Sequence, residues 1–465
     1  MNASAFAFLE RFASRSTAWT EQWMPDAFIF ALGGTLVIAV AAFLVDGNMR
    51  AEPLRIVDAW GNGFWSLIPF TLQMAMMIIG GYVLATSPAV FRLLQRLAEV
   101  PSTGKGAVVL VAFVSMVSSL LNWGFSLIFA AVLAREVARR MPKADYRALA
   151  ASSCLGLGTV WAQGLSGSAA LQMASAASMP PALVKLSGVI PLTDTIFRWQ
   201  SGACVLVEIV VVTLVVWMIA PGPARARSAA SLGIDLGPDT APPLPVAERK
   251  GEWLEHTPLF LLPVVAVGFI YLVRSIVARS SSLSSVVNAL DFNTINLFLL
   301  MLGALIHWTP ASLMRSVRDA TPAAGGLLLQ YPFYAGIFGI MTGTHLSAAI
   351  ANLFVHVSSV TWYPAMIFTY SAVLGIFVPS GGAKWVIEAP YVLESARTLG
   401  VPAGWMVVTY DLGEAVANLL QPFWMLPILG ILGVKARDIM GYTYLVALVV
   451  FPLAFMLVTL LRPAL

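Results

Sequence analysis

The sequence predicts an all-α polytopic membrane protein made of two inverted repeats, each with a re-entrant helical hairpin and a broken transmembrane helix. Three observations predict it. Of 465 residues, 59% are hydrophobic and 11% are charged, whereas about a quarter of an average soluble domain is charged. Two long apolar stretches are interrupted halfway by polar or glycine-rich tips. Hairpin, broken helix and Gln-bearing helix recur in the same order at nearly one offset along the chain.

This composition excludes an ordinary soluble enzyme. A hydrocarbon core of about 30 Å needs about 20 apolar residues per crossing helix, which leaves room for about ten crossings. Lys plus Arg exceed Asp plus Glu by only 27 to 23, a surplus that bears on orientation in the bilayer and not on nucleic acid. Cys154 and Cys204 both lie in apolar stretches, so neither a disulfide framework nor a thiolate metal site is expected.

In chain order, the first apolar run begins at Ala27, behind Arg11, Arg15 and two tryptophans, with no cleavage pattern after it. It reads as a retained span preceded by an N-terminal interfacial segment. Further spans fall near 64–86, 147–178, 200–220, 257–277, 293–308, 322–343, 404–433 and 439–461. The runs 106–135 and 361–395 differ, because Asn122-Trp123-Gly124 and Pro379-Ser380-Gly381-Gly382 divide them. Halves of about 15 residues make about 22 Å of helix, too short to cross, so each pair reads as a re-entrant hairpin. Residues 221–255, rich in Pro, Ala and Ser, read as a cytoplasmic linker between a first repeat (1–220) and a second (256–465). With the N-terminus in the cytoplasm, this topology puts 18 Lys and Arg inside and 8 outside, with Lys384 left at a hairpin tip. That is the bias expected of cytoplasmic loops. It sends the first hairpin in from the cytoplasm and the second from outside.

A shift of 255 positions lays Ala162-Gln163-Gly164-Leu165-Ser166-Gly167 over Ala417-Asn418-Leu419-Leu420-Gln421-Pro422, and Gly124 over Pro379. A shift of 257 pairs Leu72-Gln73 with Leu329-Gln330. An odd number of crossings between the copies inverts the second. Inverted repeats with helices broken near mid-bilayer are characteristic of secondary transporters, whose site lies where the breaks meet. A break in hydrocarbon leaves N–H and C=O groups that cost several kcal/mol each unless they face protein, water or a ligand. Exposed helix N-termini suit a carboxylate, and C-terminal carbonyls suit a cation.

The candidate substrate contacts are therefore the tip residues Asn122, Trp123, Gly124, Ser380, Gly381 and Gly382, with Gln163, Ser166, Gly167, Ser168, Asn418 and Gln421 at the breaks. Each has a plainer reading as a helix cap or as a small residue that lets helices pack. Lys384 is an attractor of the substrate carboxylate, a coupling group or a snorkelling surface cation, and Glu388 four residues on offers it a local ion pair. Glu388, Asp411 and Glu414 are coupling candidates because intramembrane acids are costly; the rival for the last two is a span end in water. Glu208 is a further acid inside a span, while Arg135 and Glu136 belong to a basic cytoplasmic turn. Gln73, Gln330, Tyr331 and Trp385 are expected to line the cavity, though the glutamines also suit hydrogen bonds between helices. Trp123, Trp385 and Phe377 are expected to limit tail length, Tyr331-Pro332 to mark a kink, and Trp60 and Trp65 to anchor at the interface. His256, His307, His345 and His356 are scattered, with no metal-site spacing. Gly164-Leu165-Ser166-Gly167 matches the short pattern of an intramembrane serine protease, which needs a histidine beside the serine. A channel is the third possibility.

Several stretches resemble the AtoE-type short-chain fatty acid transporters: Trp60-Gly61-Asn62-Gly63-Phe64-Trp65, Asn122-Trp123-Gly124-Phe125, Ala134-Arg135-Glu136-Val137-Ala138-Arg139-Arg140, Phe333-Tyr334-Ala335-Gly336, Val378-Pro379-Ser380-Gly381-Gly382, Gln421-Pro422-Phe423-Trp424 and Arg437-Asp438-Ile439-Met440-Gly441-Tyr442. The resemblance runs from about Trp23 to the C-terminus. It implies uptake of acetoacetate, butyrate and similar monocarboxylates by an elevator-type carrier of the ion transporter superfamily, often a dimer. The Ser-Asn-Thr signatures of that superfamily's divalent-anion carriers are missing here, so the coupling ion, proton or sodium, does not carry over. The expectation is an inner-membrane secondary carrier for short-chain carboxylates, without a cofactor and driven by protons.

Overall fold

The apolar runs fold as helices, with no strand among the described residues. In hydrocarbon a helix pairs its backbone groups within one segment, which an open strand cannot do. The computed structural model describes residues 22, 25, 27–236 and 249–463; the expected N-terminal interfacial segment and the middle of the linker fall outside them. Among the described residues, seven helices are long and apolar enough to cross a bilayer. They are Ala27–Val45, Ile68–Ala85, Gly104–Leu121, Trp199–Ile219, Leu261–Arg279, Pro310–Gly343 and Ala436–Leu460.

The helices sort into two groups by what they pack against. Ala27–Val45, Leu54–Phe64, Ile68–Ala85 and Phe292–His307 gather round the 34-residue helix Pro310–Gly343, and Leu261–Arg279 packs outside Phe292–His307. This group is called the scaffold. Its closest seam has no room for side chains: a Cβ on Gly63 would lie 2.5 Å from the Ala335 carbonyl oxygen, and one on Gly339 2.2 Å from that of Ala59. Without a hydrophobic drive between helices in lipid, such backbone approach is what holds them together.

The second group holds the two hairpins, Gly104–Leu121 with Trp123–Arg140 and Tyr363–Phe377 with Gly381–Leu399. A broken segment follows each, at 146–173 and 403–432, and then a long apolar helix, Trp199–Ile219 or Ala436–Leu460. The same order of elements thus occurs twice. Trp123–Arg140 lies against the scaffold helix Ile68–Ala85, and Gly381–Leu399 against Pro310–Gly343.

Several boundaries differ from expectation. The first hairpin's interruption shrinks to Asn122, the C-cap of one helix and N-cap of the next, so each half runs 18 residues. The expected span 322–343 is the end of Pro310–Gly343, which continues through both Pro322 and Pro332. No break falls at Tyr331-Pro332, because a single proline removes one ladder bond and neighbouring helices sustain the rest. Leu346–Val357 is an unforeseen helix of 12 residues, below the length of a crossing. The half-buried Trp60 ring packs on Phe64 at 4.9 Å and Phe333 at 6.2 Å, over Gly336. Trp65 remains exposed.

Candidate functional site

Each broken backbone finds partners in a neighbouring element. In the first break, the Leu165 N–H donates to the Leu120 carbonyl at 2.7 Å, and the Gly156 N–H to Ser115 Oγ at 3.0 Å. Ser115 Oγ in turn donates to the Ser153 carbonyl at 2.9 Å. In the second, the carbonyls of Leu419 and Leu420 accept from Thr443 and Tyr444, and the Phe423 N–H donates to Gln421 Oε1 at 2.7 Å. These polar side chains come from the long apolar helices and hairpins alongside, so the irregular backbone is enclosed by protein, as hydrocarbon demands.

The tips and breaks are also tied to one another. The Trp123 N–H at the first tip donates to Ser166 Oγ of the first break at 2.9 Å. Trp424 Nε1 of the second break donates to the Pro379 carbonyl of the second tip at 2.9 Å. Across the halves, the Ala169 N–H donates to Asp411 Oδ2 at 2.9 Å, and the rings of Trp123 and Trp424 meet edge to face at 4.9 Å. All four interruptions converge on one small cavity. Trp123 lines it from the first tip, Leu157, Trp161 and Ser168 from the first break, Ser380 and Gly381 from the second tip, and Glu414, Asn418 and Trp424 from the second break. The scaffold closes the wall with Met74, Ile78, Leu327 and Tyr331, whose hydroxyl accepts from Ser380 Oγ at 3.3 Å. A second, larger and mostly apolar cavity shares Ile78, Trp123 and Trp424 with the first.

The helix Gly381–Leu399 starts at the cavity wall with no side chain capping its N-terminus. By contrast, Asn122 Oδ1 caps the first tip's helix through the Phe125 N–H at 2.7 Å, while its amide reaches Met77. Asn122 therefore has the plainer role of a cap, and the first tip presents Trp123 to the cavity instead. Gly382 is pressed against the scaffold, where a Cβ would lie 2.4 Å from Phe70 Cζ.

Behind Gly381 lies a buried ion pair. Lys384 Nζ sits 2.5 Å from Glu414 Oε2 and donates to the Ser371 carbonyl at 2.9 Å, with the Tyr410 ring 5.2 Å away. Lys384 is 2% exposed and Glu414 1%, so the lysine does not snorkel. Its ion pair forms with Glu414 and not with Glu388, because the helix Ala403–Ala417 packs against Tyr363–Phe377 and brings Glu414 to the ammonium group. Asp411 and Glu388 are buried nearby and not at a span end in water.

Other expected positions lie elsewhere. Gln73 bridges scaffold helices, donating to Asn293 Oδ1 at 2.9 Å, and Gln330 is half-buried outside the cavity. Trp385 is fully buried against Tyr410, and Phe377 faces Phe30 at 6.4 Å, so neither ring reaches the cavity. Gln421 donates to Asn418 Oδ1 at 2.7 Å, Gly167 is folded against the Ala162 carbonyl, and Gln163 is buried beside the Cys204 thiol. Gly124 lines the larger cavity. Glu208 is buried with neither carboxylate oxygen hydrogen-bonded, and Glu136 pairs with Arg139 and Arg140. Both ring nitrogens of His307 are engaged, by Ser312 Oγ at 2.7 Å and the Val83 carbonyl at 2.8 Å, so the base that a Ser166 protease requires is committed elsewhere. Trp161, Trp424, Leu157, Met74, Ile78 and Leu327 were not anticipated. Only the Gln-Pro-Phe-Trp stretch, which includes Trp424, carried any signal for one of them.

Crossing-length apolar helices packed round two helical hairpins define a multi-pass membrane protein. The chain belongs to the short-chain fatty acid transporter family, whose model, "Short chain fatty acid transporter", matches residues 8–461. It is 36% identical over 435 residues to a protein of Escherichia coli (strain K12), by its given name a short-chain fatty acid transporter, covering 94% of each chain. A Haemophilus influenzae protein of the same name is 32% identical over 446 residues, covering 93% of this chain and 96% of that one. Among solved structures, the YdaH transporter of Alcanivorax borkumensis matches with a TM-score of 0.56 at 14% identity, over 94% of this chain and 100% of that one. MtrF of Neisseria gonorrhoeae, described with a class of antimetabolite efflux pumps, matches with a TM-score of 0.60 at 14% identity, over 97% of both chains. These two likenesses concern the fold alone.

Proposed function

We propose that this chain is a proton-driven secondary carrier that takes up short-chain monocarboxylates such as butyrate or acetoacetate across the inner membrane, with its N-terminus in the cytoplasm. The observation that carries the proposal is the uncapped N-terminus of Gly381–Leu399 at the wall of a cavity otherwise lined mainly by apolar side chains. Free N–H groups and the helix's partial positive charge receive the carboxylate. Ser380 and Ser168 add hydroxyls, and Asn418 an amide. Trp123, Trp161, Met74, Ile78 and Leu327 surround the short alkyl tail. The family membership and the names of the two bacterial relatives support this substrate class.

The repeated order of hairpin, broken segment and long helix supports an inverted-repeat carrier in which the second group of helices moves against the scaffold, elevator-fashion. Both residues 1–220 and residues 256–465 contribute a tip and a break, and a dimer of scaffolds would hold the fixed frame. Lys384, Glu388, Asp411 and Glu414 are the coupling groups. Uptake of labelled butyrate or acetoacetate into proteoliposomes, with imposed proton or sodium gradients, tests the proposal. Saturable uptake driven by an inward proton gradient is expected. Flux that rises linearly with concentration and ignores both gradients would make the protein a channel, and drive by sodium alone would replace the coupling ion.

A further inference from the structure

Lys384 is the cation nearest the substrate end of the cavity, yet Glu414 stands between them. Glu414 lines the cavity while Lys384 does not, and the Lys384 ammonium group is already committed to Glu414, the Ser371 carbonyl and the Tyr410 ring. Glu414 also lies against the anion end, where its Cγ would be 3.3 Å and Asp411 Oδ1 3.2 Å from a Cβ placed on Gly381. A carboxylate at the uncapped N-terminus of Gly381–Leu399 therefore arrives beside the side chains of Glu414 and Asp411, of which Glu414 also lines the cavity. Two carboxylates at such a distance in a buried site cannot both stay ionised.

We propose that Glu414 carries the transported proton, and that a substrate anion and a proton on Glu414 enter the site together or not at all. This rests on the carrier reading above. In the empty site the charges of the Lys384–Glu414 pair sum to zero, with Asp411 and Glu388 carrying the same charge before and after binding. With substrate bound, the new negative charge is balanced by the proton that neutralises Glu414, so Lys384 turns to the bound anion and the sum is again zero. Substrate without the proton leaves one extra negative charge in low dielectric, and the proton without substrate leaves one extra positive charge. Both are expensive to carry past hydrocarbon. The balanced states are the ones free to move, which makes transport electroneutral, with one proton per carboxylate.

Other polar and charged groups face Glu414, and two of them keep a buried oxygen without a hydrogen bond, Asp411 Oδ1 and Glu388 Oε2. On its own helix, Asp411 is held by the Ala169 N–H from the first break. Glu388 follows Lys384 by one turn, and Tyr410 and the Tyr331 hydroxyl face the pair from the sides. Trp161 and Ser168 close the approach from the first repeat.

The test uses full-length protein in proteoliposomes, with labelled butyrate, an internal pH dye and potassium–valinomycin clamps. Wild type should move one proton per butyrate, and its rate should not respond to a clamped membrane potential. Glu414→Gln mimics the protonated acid. It should lose accumulation driven by a pH gradient, and its KM should not change between pH 5.5 and 8, whereas the wild-type KM should rise at least tenfold. Pronounced voltage dependence in wild type, or gradient-driven accumulation by Glu414→Gln, overturns the assignment. Should the variant fail to fold, the wild-type stoichiometry and voltage response decide. Wild type that exchanges butyrate yet ignores a pH gradient refutes the role of Glu414 and leaves the carrier standing; wild type with no saturable butyrate flux refutes the carrier itself.

Discussion

Trp424 stands between the cavity at the four interruptions and the larger apolar one, since it lines both with its ring against Trp123. Replacing it with alanine removes most of that partition and joins the cavities along the apolar wall of Ile78, Leu127, Ile128 and Ile428. A longer alkyl tail can then occupy the space left by the indole. Each methylene buried there is worth about 0.8 kcal/mol, or about fourfold in affinity. Hexanoate carries two methylenes more than butyrate, so Trp424→Ala should improve its inhibition constant relative to that of butyrate by about tenfold to fifteenfold. Losing the hydrogen bond from Trp424 to the Pro379 carbonyl weakens the tip by about 1 kcal/mol for every acid alike, and therefore cancels in the ratio. Competition by linear acids of two to eight carbons against labelled butyrate uptake provides the measurement. Trp424→Phe, which keeps a ring in place, should leave the rank order as in wild type. An unchanged hexanoate-to-butyrate ratio in Trp424→Ala would show that the tail does not point toward the tryptophan pair.

Ser166→Ala leaves the Trp123 N–H without its acceptor, at a cost of about 1–3 kcal/mol. It should raise the KM for butyrate and lower the melting temperature, and unchanged values of both would remove Ser166 from the site. Gly382→Ala places a Cβ 2.4 Å from Phe70, whose ring is stacked against Tyr331 and cannot yield freely. Initial uptake should drop at least tenfold while the protein still folds, and a companion Phe70→Leu change should restore part of it; wild-type uptake in the single variant would contradict tight packing of tip on scaffold. Asp46 accepts from the His345 N–H at 3.0 Å and from its ring at 2.8 Å, which holds its carboxyl at about 2, below the ordinary 3.8. The folded form thus binds that proton less readily than the unfolded chain, so the stabilisation is complete above pH ~4 and fades as pH falls toward ~2. Melting of wild type and Asp46→Asn across pH 2 to 6 should show a gap that is constant above pH ~4 and closes below it.

What could be read from residues alone was whatever interrupts a uniform pattern. Asn122, the Pro379 to Gly382 stretch and the polar residues at 163–168 and 418–421 stand out because hydrocarbon tolerates broken backbone only inside protein. Helices end or change character at Asn122, between Phe377 and Gly381, and near residues 159–167 and 418–425. Residues of the common apolar kind gave no such contrast. Met74, Ile78, Leu157 and Leu327 line the cavity, yet Leu36 and Val37, of the same character, remain exposed on the outer face of Ala27–Val45. Which apolar face turns inward in a membrane protein depends on helix packing, because lipid and protein interior are equally apolar solvents. The same reason governs the charges. Spacing along one helix offered Lys384 to Glu388, four residues away, but packing of Ala403–Ala417 delivered Glu414 to within 2.5 Å. The sequence by itself determined where the backbone breaks; tertiary contact alone decided which side chains meet there, since residues far apart in the chain become neighbours only when the helices close around them.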